Sequence, residues 1–296
     1  MTIKYAYYPG CSLESLAREY NVSTRLVCQD LDIELVEIPD WNCCGAAPAC
    51  QVDHMLSSAL SARNLALAES FKLNVMAPCP KCFNRLKEAD LEMKDNPDHL
   101  REINNLLEKP YHKGVQVKSL LQVLYQDVDR ELISCRVKIP LEGLRVACYY
   151  GCMNARPADI NDFQNPEDPT SMEEILAPLG AELVDYPLKT YCCGAAFGLA
   201  RVDLVLRLAN ELLEMATLVG ADVIAVACPL CQQNLDLRQL QVNARYGTRY
   251  NIPILYLTQL MGLAFGHSSK ELWLDKHFVK FRKLPGATQA VSSGAR

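Results

Sequence analysis

Ten of the 14 cysteines in this 296-residue chain fall into two copies of one pattern. The first copy runs YYPGC, CCGAA, CPKC and supplies Cys11, Cys43, Cys44, Cys79 and Cys82. The second runs YYGC, CCGAA, CPLC and supplies Cys152, Cys192, Cys193, Cys228 and Cys231. In both copies 34 residues separate the second Cys of the CC pair from the C-x-x-C pair. Thiolates at such spacing bind metal. Four close a tetrahedral zinc site, and four hold an iron–sulfur cubane. Each copy offers five, one more than either needs, which favours an iron–sulfur cluster that is distorted or opened. Zinc in one half or both is the alternative. A thioredoxin-like role for the two C-x-x-C pairs leaves the other six cysteines without purpose. Buried apolar cysteine does not explain a fixed gap beside Gly and Pro. It is the reading for Cys28, Cys50, Cys135 and Cys148, which have no cysteine counterpart in the other copy.

The neighbours of the cysteines suit such a site. Gly45 and Gly194, after each CC, permit close backbone approach. Pro80 and Pro229 suit a first helical position, which places the following Cys at a helix N-terminus, where N–H groups stabilise negative charge.

The elements that must position these residues alternate. IKYAYY, IELVEI and NVMA read as short strands, with helices over Leu13–Leu31 and Val52–Phe71 between them. LRVACYY, AELVDY and ADVIAVA repeat the strands, with helices over Ser171–Leu179 and Val202–Val219. Alternating strands and helices predict an α/β fold with a small parallel sheet flanked by helices in each half. The cysteines then follow strands, at the carboxyl edge where such sheets bind ligands. Two copies predict a pseudo-twofold molecule. VKSLLQVL and ILYLTQLM match in pattern, Gln122 against Gln259; Ala89–His112 reads as extra helix and Arg156–Thr170 as a surface loop. The expected domains are 1–140 and 141–266, followed by an extension, 267–296, whose last ten residues read as disordered.

Composition narrows the function. Half the residues are hydrophobic and the net charge is −5, which gives no electrostatic case for nucleic acid. No apolar run reaches the ~18 residues of a membrane span. The N-terminus shows no signal peptide, so a cytoplasmic protein is expected, and in that compartment cysteine clusters mean metal or redox chemistry. No G-x-G-x-x-G fingerprint appears, so the chain is not expected to bind flavin or NAD.

The repeated pattern resembles the CCG-domain family, in particular the B subunit of heterodisulfide reductase, over about residues 3–265. The resemblance implies two pseudo-twofold-related CCG domains and two noncubane [4Fe–4S] clusters. Cys11, Cys43, Cys44, Cys79 and Cys82 would hold one, and Cys152, Cys192, Cys193, Cys228 and Cys231 the other. It implies an oxidoreductase of sulfur metabolism that cleaves or forms a disulfide, or handles sulfane sulfur, between the clusters. It also implies a complex with the ferredoxin-like C subunit and the flavin-containing A subunit of such reductases, and a small disulfide or sulfur-carrier substrate. Related modules in dehydrogenases give the alternative of electron transfer without substrate contact, and a zinc-stabilised scaffold is the third reading.

Beyond the cysteines, His54 reads as a helix-start residue. Lys81, Arg63, Arg85, Arg156, Lys189, Arg201 and Arg207 read mainly as surface. Tyr7, Tyr8, Tyr149, Tyr150 and Tyr191 are expected to pack beside the site, one hydroxyl being able to donate to a sulfur. The basic, aromatic stretch ELWLDKHFVKFRKL is a candidate partner-docking segment.

Overall fold

The computed structural model describes residues 3–46, 49–161 and 165–282. It contains two four-stranded, wholly parallel sheets. The first comprises β1 (Ile3–Tyr7), β2 (Ile33–Glu37), β3 (Val75–Ala77) and β4 (Val117–Ser119) in the order β2-β1-β3-β4. The second comprises β5 (Arg145–Tyr149), β6 (Glu182–Val184), β7 (Val223–Val226) and β8 (Ile254–Tyr256) in the order β6-β5-β7-β8. The two orders are the same, and so are the registers at the centre: Ala6 sits beside Val75 and Val146 beside Val223. The central strands are near-continuous apolar runs because helices cover both faces; all four residues of β7 are buried.

Local chemistry sets the helix ends. The helix Pro80–Asp95 stops at Asn96 because Pro97 bars the preceding residue from helical geometry. Asn96 is extended and caps the next helix, Pro97–Asn104, by accepting from the amides of Asp98 and His99. The Ala89–His112 segment is therefore the end of one long helix plus a second short one. The matched glutamines begin helices: Gln122 Oε1 accepts from Ser119 N and Gln259 Oε1 from Tyr256 N, the side chain reaching back over the first turn. The segment Arg156–Thr170 contains a short helix, Ala158–Asn161.

One hydrophobic core runs through both halves. The helices Arg18–Asp30 and Leu257–Ala264 pack across the junction. There Tyr20 stacks on Tyr256 at 4.1 Å between ring centroids, 5° from parallel, a pair contributing about 0.5–1.5 kcal/mol beyond its burial. The hydroxyls of Ser23 and Thr258 meet at 2.8 Å. Asn84 donates to the carbonyls of Met153 and Arg156, and Gln122 to that of Asn161. Residues 267–282 fold back onto the second half, burying Leu272, Leu274 and His277. The last ten residues, read as disordered from sequence, lie outside the described residues.

Candidate functional site

Every motif cysteine follows the carboxyl end of a strand. Cys11 and Cys152 follow the first strand of each half, the CC pairs follow the second, and the C-x-x-C pairs follow the third. The central strands β1 and β5 are each flanked by strands reached in opposite directions, which leaves a crevice at that edge. Cys79 and Cys228 are the N-caps of Pro80–Asp95 and Pro229–Leu237, with Pro at the first helical position in both.

These loops bring five thiols together in each half. In the second, Cys152 Sγ lies 3.7 Å from Cys192 Sγ, and Cys193 Sγ 3.6 Å from Cys231 Sγ; Cys228 hydrogen-bonds to Cys231 in turn. In the first, contacts run from Cys43 to Cys44, on to Cys82, and from there to Cys79. Cys11 lies close enough to interact electrostatically with Cys43 and Tyr8. Burial repeats as well. Cys44, Cys79, Cys82, Cys193, Cys228 and Cys231 are buried, whereas Cys11, Cys43 and Cys192 are exposed and Cys152 half-buried. No disulfide joins any of the 14.

Hydrogen bonds set the thiols apart in acidity. Cys44 is held far below the ordinary thiol range by Cys43 and Cys82, aided by the amides of Ala46 and Cys44 itself. Cys79 is lowered by Cys82 and by amides of its own helix N-terminus. Cys193 is lowered by Cys231, with help from the Ala195 amide and Asn234. Cys192 is lowered by Cys152 and by the amide of Gly194, 3.3 Å from its sulfur. Their partners Cys43, Cys82, Cys152 and Cys231 are raised correspondingly.

Two glycines missed by the sequence reading shape the site. Gly10 and Gly151, just before Cys11 and Cys152, have φ of +68° and +65°. A Cβ there would stand 3.0 Å from Cys82 Sγ and 2.8 Å from Cys231 Sγ respectively. The signal was present as the Gly-Cys pair in both copies. The tyrosines pin the CC loops: Tyr8 donates to the carbonyl of Asn42 and Tyr149 to that of Tyr191, each at 2.8 Å. They thus hold backbone next to the first CC cysteine, not a sulfur. Tyr7 donates to Asn21 and Tyr150 to Glu173, while Tyr191 is exposed.

The side chains of the weaker candidates are mostly exposed or tied up in ion pairs. His54 is exposed at the start of its helix and meets Glu92 at 3.1 Å. Arg63, Arg85, Arg156, Lys189, Arg201 and Arg207 are paired with carboxylates, and Lys81 is half-buried. Cys28 and Cys148 are core residues, Cys50 is half-buried and donates to the Ala46 carbonyl, and Cys135 is exposed.

The donor set fits a thiolate-bound cluster. Each half presents five sulfurs, three of them buried, facing backbone amides that favour negative charge. Among the described residues no three His, Cys, Asp or Glu side chains close on a single ion-sized point.

Comparison with known proteins agrees with the repeat. The cysteine-rich domain family CCG matches residues 5–87 and 146–236. The chain is 35% identical over 287 residues to the membrane anchor subunit of the 8-methylmenaquinol:fumarate reductase of Wolinella succinogenes, covering 96% of this chain and 100% of that one. It is 29% identical over 299 residues, 99% of each chain, to the B subunit of the ferredoxin/F(420)H(2)-dependent CoB-CoM heterodisulfide reductase of Methanosarcina acetivorans. A hypothetical protein from Helicobacter pylori has the same fold, with a TM-score of 0.76 at 15% identity; the match covers 94% of this chain and about half, 52%, of that structure.

Proposed function

The chain belongs to the cysteine-rich CCG family and is a relative of the B subunit of heterodisulfide reductase, and from this we propose that it is the iron–sulfur component of an oxidoreductase complex acting on a disulfide or on carrier-bound sulfur. Cys11, Cys43, Cys44, Cys79 and Cys82 would hold one noncubane [4Fe–4S] cluster, and Cys152, Cys192, Cys193, Cys228 and Cys231 a second. The observation that carries this reading is five thiols gathered at the same edge of two sheets with the same strand order. When bound, such clusters supply electrons and iron able to accept a thiolate.

The chain's own residues prepare the two sites. The helix N-termini after Cys79 and Cys228 offset negative charge. Tyr8 and Tyr149 fix the CC loops, and Gly10 and Gly151 let the first loop close over the C-x-x-C sulfur. The exposed cysteines leave one side of each site open to a small substrate. Electrons would come from a ferredoxin-like partner, the C subunit of such reductases, and ultimately from their flavin-containing A subunit, in the cytoplasm. Among the described residues no helix is long and apolar enough to cross a membrane.

The similarity to a fumarate reductase component favours a second reading, an electron-transfer module that never touches substrate. The deciding experiment measures iron, acid-labile sulfide and zinc on protein purified without oxygen, then turnover of disulfides with an artificial donor. About eight iron and eight sulfide per chain with disulfide turnover support the first reading; the same iron without turnover in the assembled complex supports the second. Zinc without iron, unchanged after reconstitution, leaves a scaffold.

A further inference from the structure

At the junction of the two halves a buried set of polar side chains reaches from a surface cavity to the midpoint between the cysteine sets. The Tyr20 hydroxyl is its inner end. It is fully buried and lies 3.4 Å from both the Pro78 and the Ala227 carbonyl oxygens. These are the residues immediately before Cys79 and Cys228, and they correspond to each other in the repeat. Tyr20 therefore sits on the pseudo-twofold axis, equally related to both halves. Tyr256 is stacked on it and also fully buried. Its hydroxyl makes no well-aligned hydrogen bond, yet it faces Glu19 and favours that residue's charged form. The charges of Glu19, Cys79 and Cys228 all reach Tyr256. Glu19 is 8% exposed and lines a cavity of about 440 Å³ with Arg18, Gln232, Asp236, Trp273 and Lys276.

We infer that Glu19 is a redox-linked proton-loading site, taking a proton from this cavity when electrons reach the two cysteine-held centres, with Tyr256 and Tyr20 as its link to them. The inference rests on the redox reading above. Its chemistry balances: an O–H bond forms on the Glu19 carboxylate, the proton comes from water, and the electrons come from the reduced ferredoxin-type donor. Reduction of a disulfide consumes two protons with its two electrons, so a proton store beside the centres serves the reaction as well as compensating charge.

The surroundings of Glu19 suit this role. Burial, and after it the carboxylate of Asp236, raise its proton affinity, while its own backbone amide and, less strongly, the Tyr256 hydroxyl act the other way. Arg18 on its own helix and Lys276 line the same cavity. His277 lies behind Asp236, and burial lowers its proton affinity. The net effect is a raised proton affinity, so that further negative charge arriving on the axis draws in a proton. Both tyrosines stay protonated, since burial lifts them well above their ordinary value.

The test uses the iron-loaded chain and its Glu19→Gln variant, which keeps the shape and removes the titration. In the wild type the midpoint potentials, followed by electron paramagnetic resonance, should fall as pH rises above the ordinary carboxylate range. The slope approaches about 59 mV per tenfold change in proton activity for one proton per electron. Glu19→Gln should lose that slope and Glu19→Asp should regain it. The infrared difference spectrum on reduction should gain a protonated-carboxyl band, absent in Glu19→Gln and shifted in Tyr256→Phe. Equal iron content and circular dichroism would exclude misfolding. Unchanged slope and band in an iron-loaded Glu19→Gln protein would overturn the role of Glu19 alone. A chain that takes up no iron would sink the redox reading and this inference with it.

Discussion

Gly151 carries a test of the whole cysteine arrangement in a single atom. An Ala there would bring its Cβ to 2.8 Å from Cys231 Sγ, and its φ of +65° is one that side chains avoid. The left-handed backbone alone costs about 1–2 kcal/mol; the contact adds displacement of a thiol that has no slack if it is a ligand. Gly247→Ala is the control, because φ is +69° but nothing lies within 4 Å of the added atom. Gly151→Ala should lose the second half's cluster and keep the first, lowering iron from about eight to about four per chain, while Gly247→Ala keeps both. Equal iron in the two variants would mean that Cys231 is not held where the structure places it. The ten cysteines were legible because a thiol pattern repeated at one spacing survives any uncertainty about secondary structure. Gly10 and Gly151 were not singled out, since the Gly-Cys pair shows its contact only when the C-x-x-C loop is folded against it. The same holds for Tyr8 and Tyr149: their proximity to cysteine was visible, but their carbonyl partners lie tens of residues away.

At the scale of elements, the segment 267–282 is held by one ring. His277 is 2% exposed. The Gln232 amide donates to its Nδ1 at 2.8 Å, and the Gln259 amide nitrogen lies 2.9 Å from Nε2. A protonated ring donates at both nitrogens and would face amide nitrogens on both sides. Burial also lowers its pKa below the ordinary 6.5. The unfolded chain therefore takes up a proton before the folded one does, and this contribution to stability is lost as pH falls below about 6.5. His277→Ala, which strands buried amides, should cost about 1–3 kcal/mol and show less of this acid loss. Thermal unfolding at a series of pH values measures both; parallel curves for the two proteins would place the acid sensitivity elsewhere. From sequence the basic, aromatic stretch ELWLDKHFVKFRKL read as a candidate docking segment, and its anchoring on Gln232 and Gln259, 45 and 18 positions from His277, was not legible. Three strands in each half were legible, as apolar runs. The fourth, β4 and β8, is three residues long and merges into the helix that follows, so only the matched Gln122 and Gln259 hinted at it.

On the scale of the molecule, the two halves are equal in topology and unequal at their junction. Tyr20 and Tyr256 fill the axis from one side each, while the residues matching them in the repeat, Asn161 and Ser119, are small polar residues bonded to Gln122. No local pattern could have disclosed this pairing, because it joins residues 236 positions apart in sequence. On the proposed two-cluster function neither half is a spare. The buried core is continuous and the axis is shared, so a disulfide handled by both centres together needs both intact. Cys82→Ser and Cys231→Ser should each remove one cluster, leave the chain folded, and abolish disulfide turnover rather than halve it. Two independent centres would instead give additive losses, with each variant retaining about half the rate. Anaerobic turnover with a reduced dye, normalised to folded protein, separates these outcomes. If Cys82→Ser kept substantial turnover while its first-half cluster was missing, joint action of the two halves on one substrate would have to be given up, and the fumarate reductase relative would become the better guide to what the chain does.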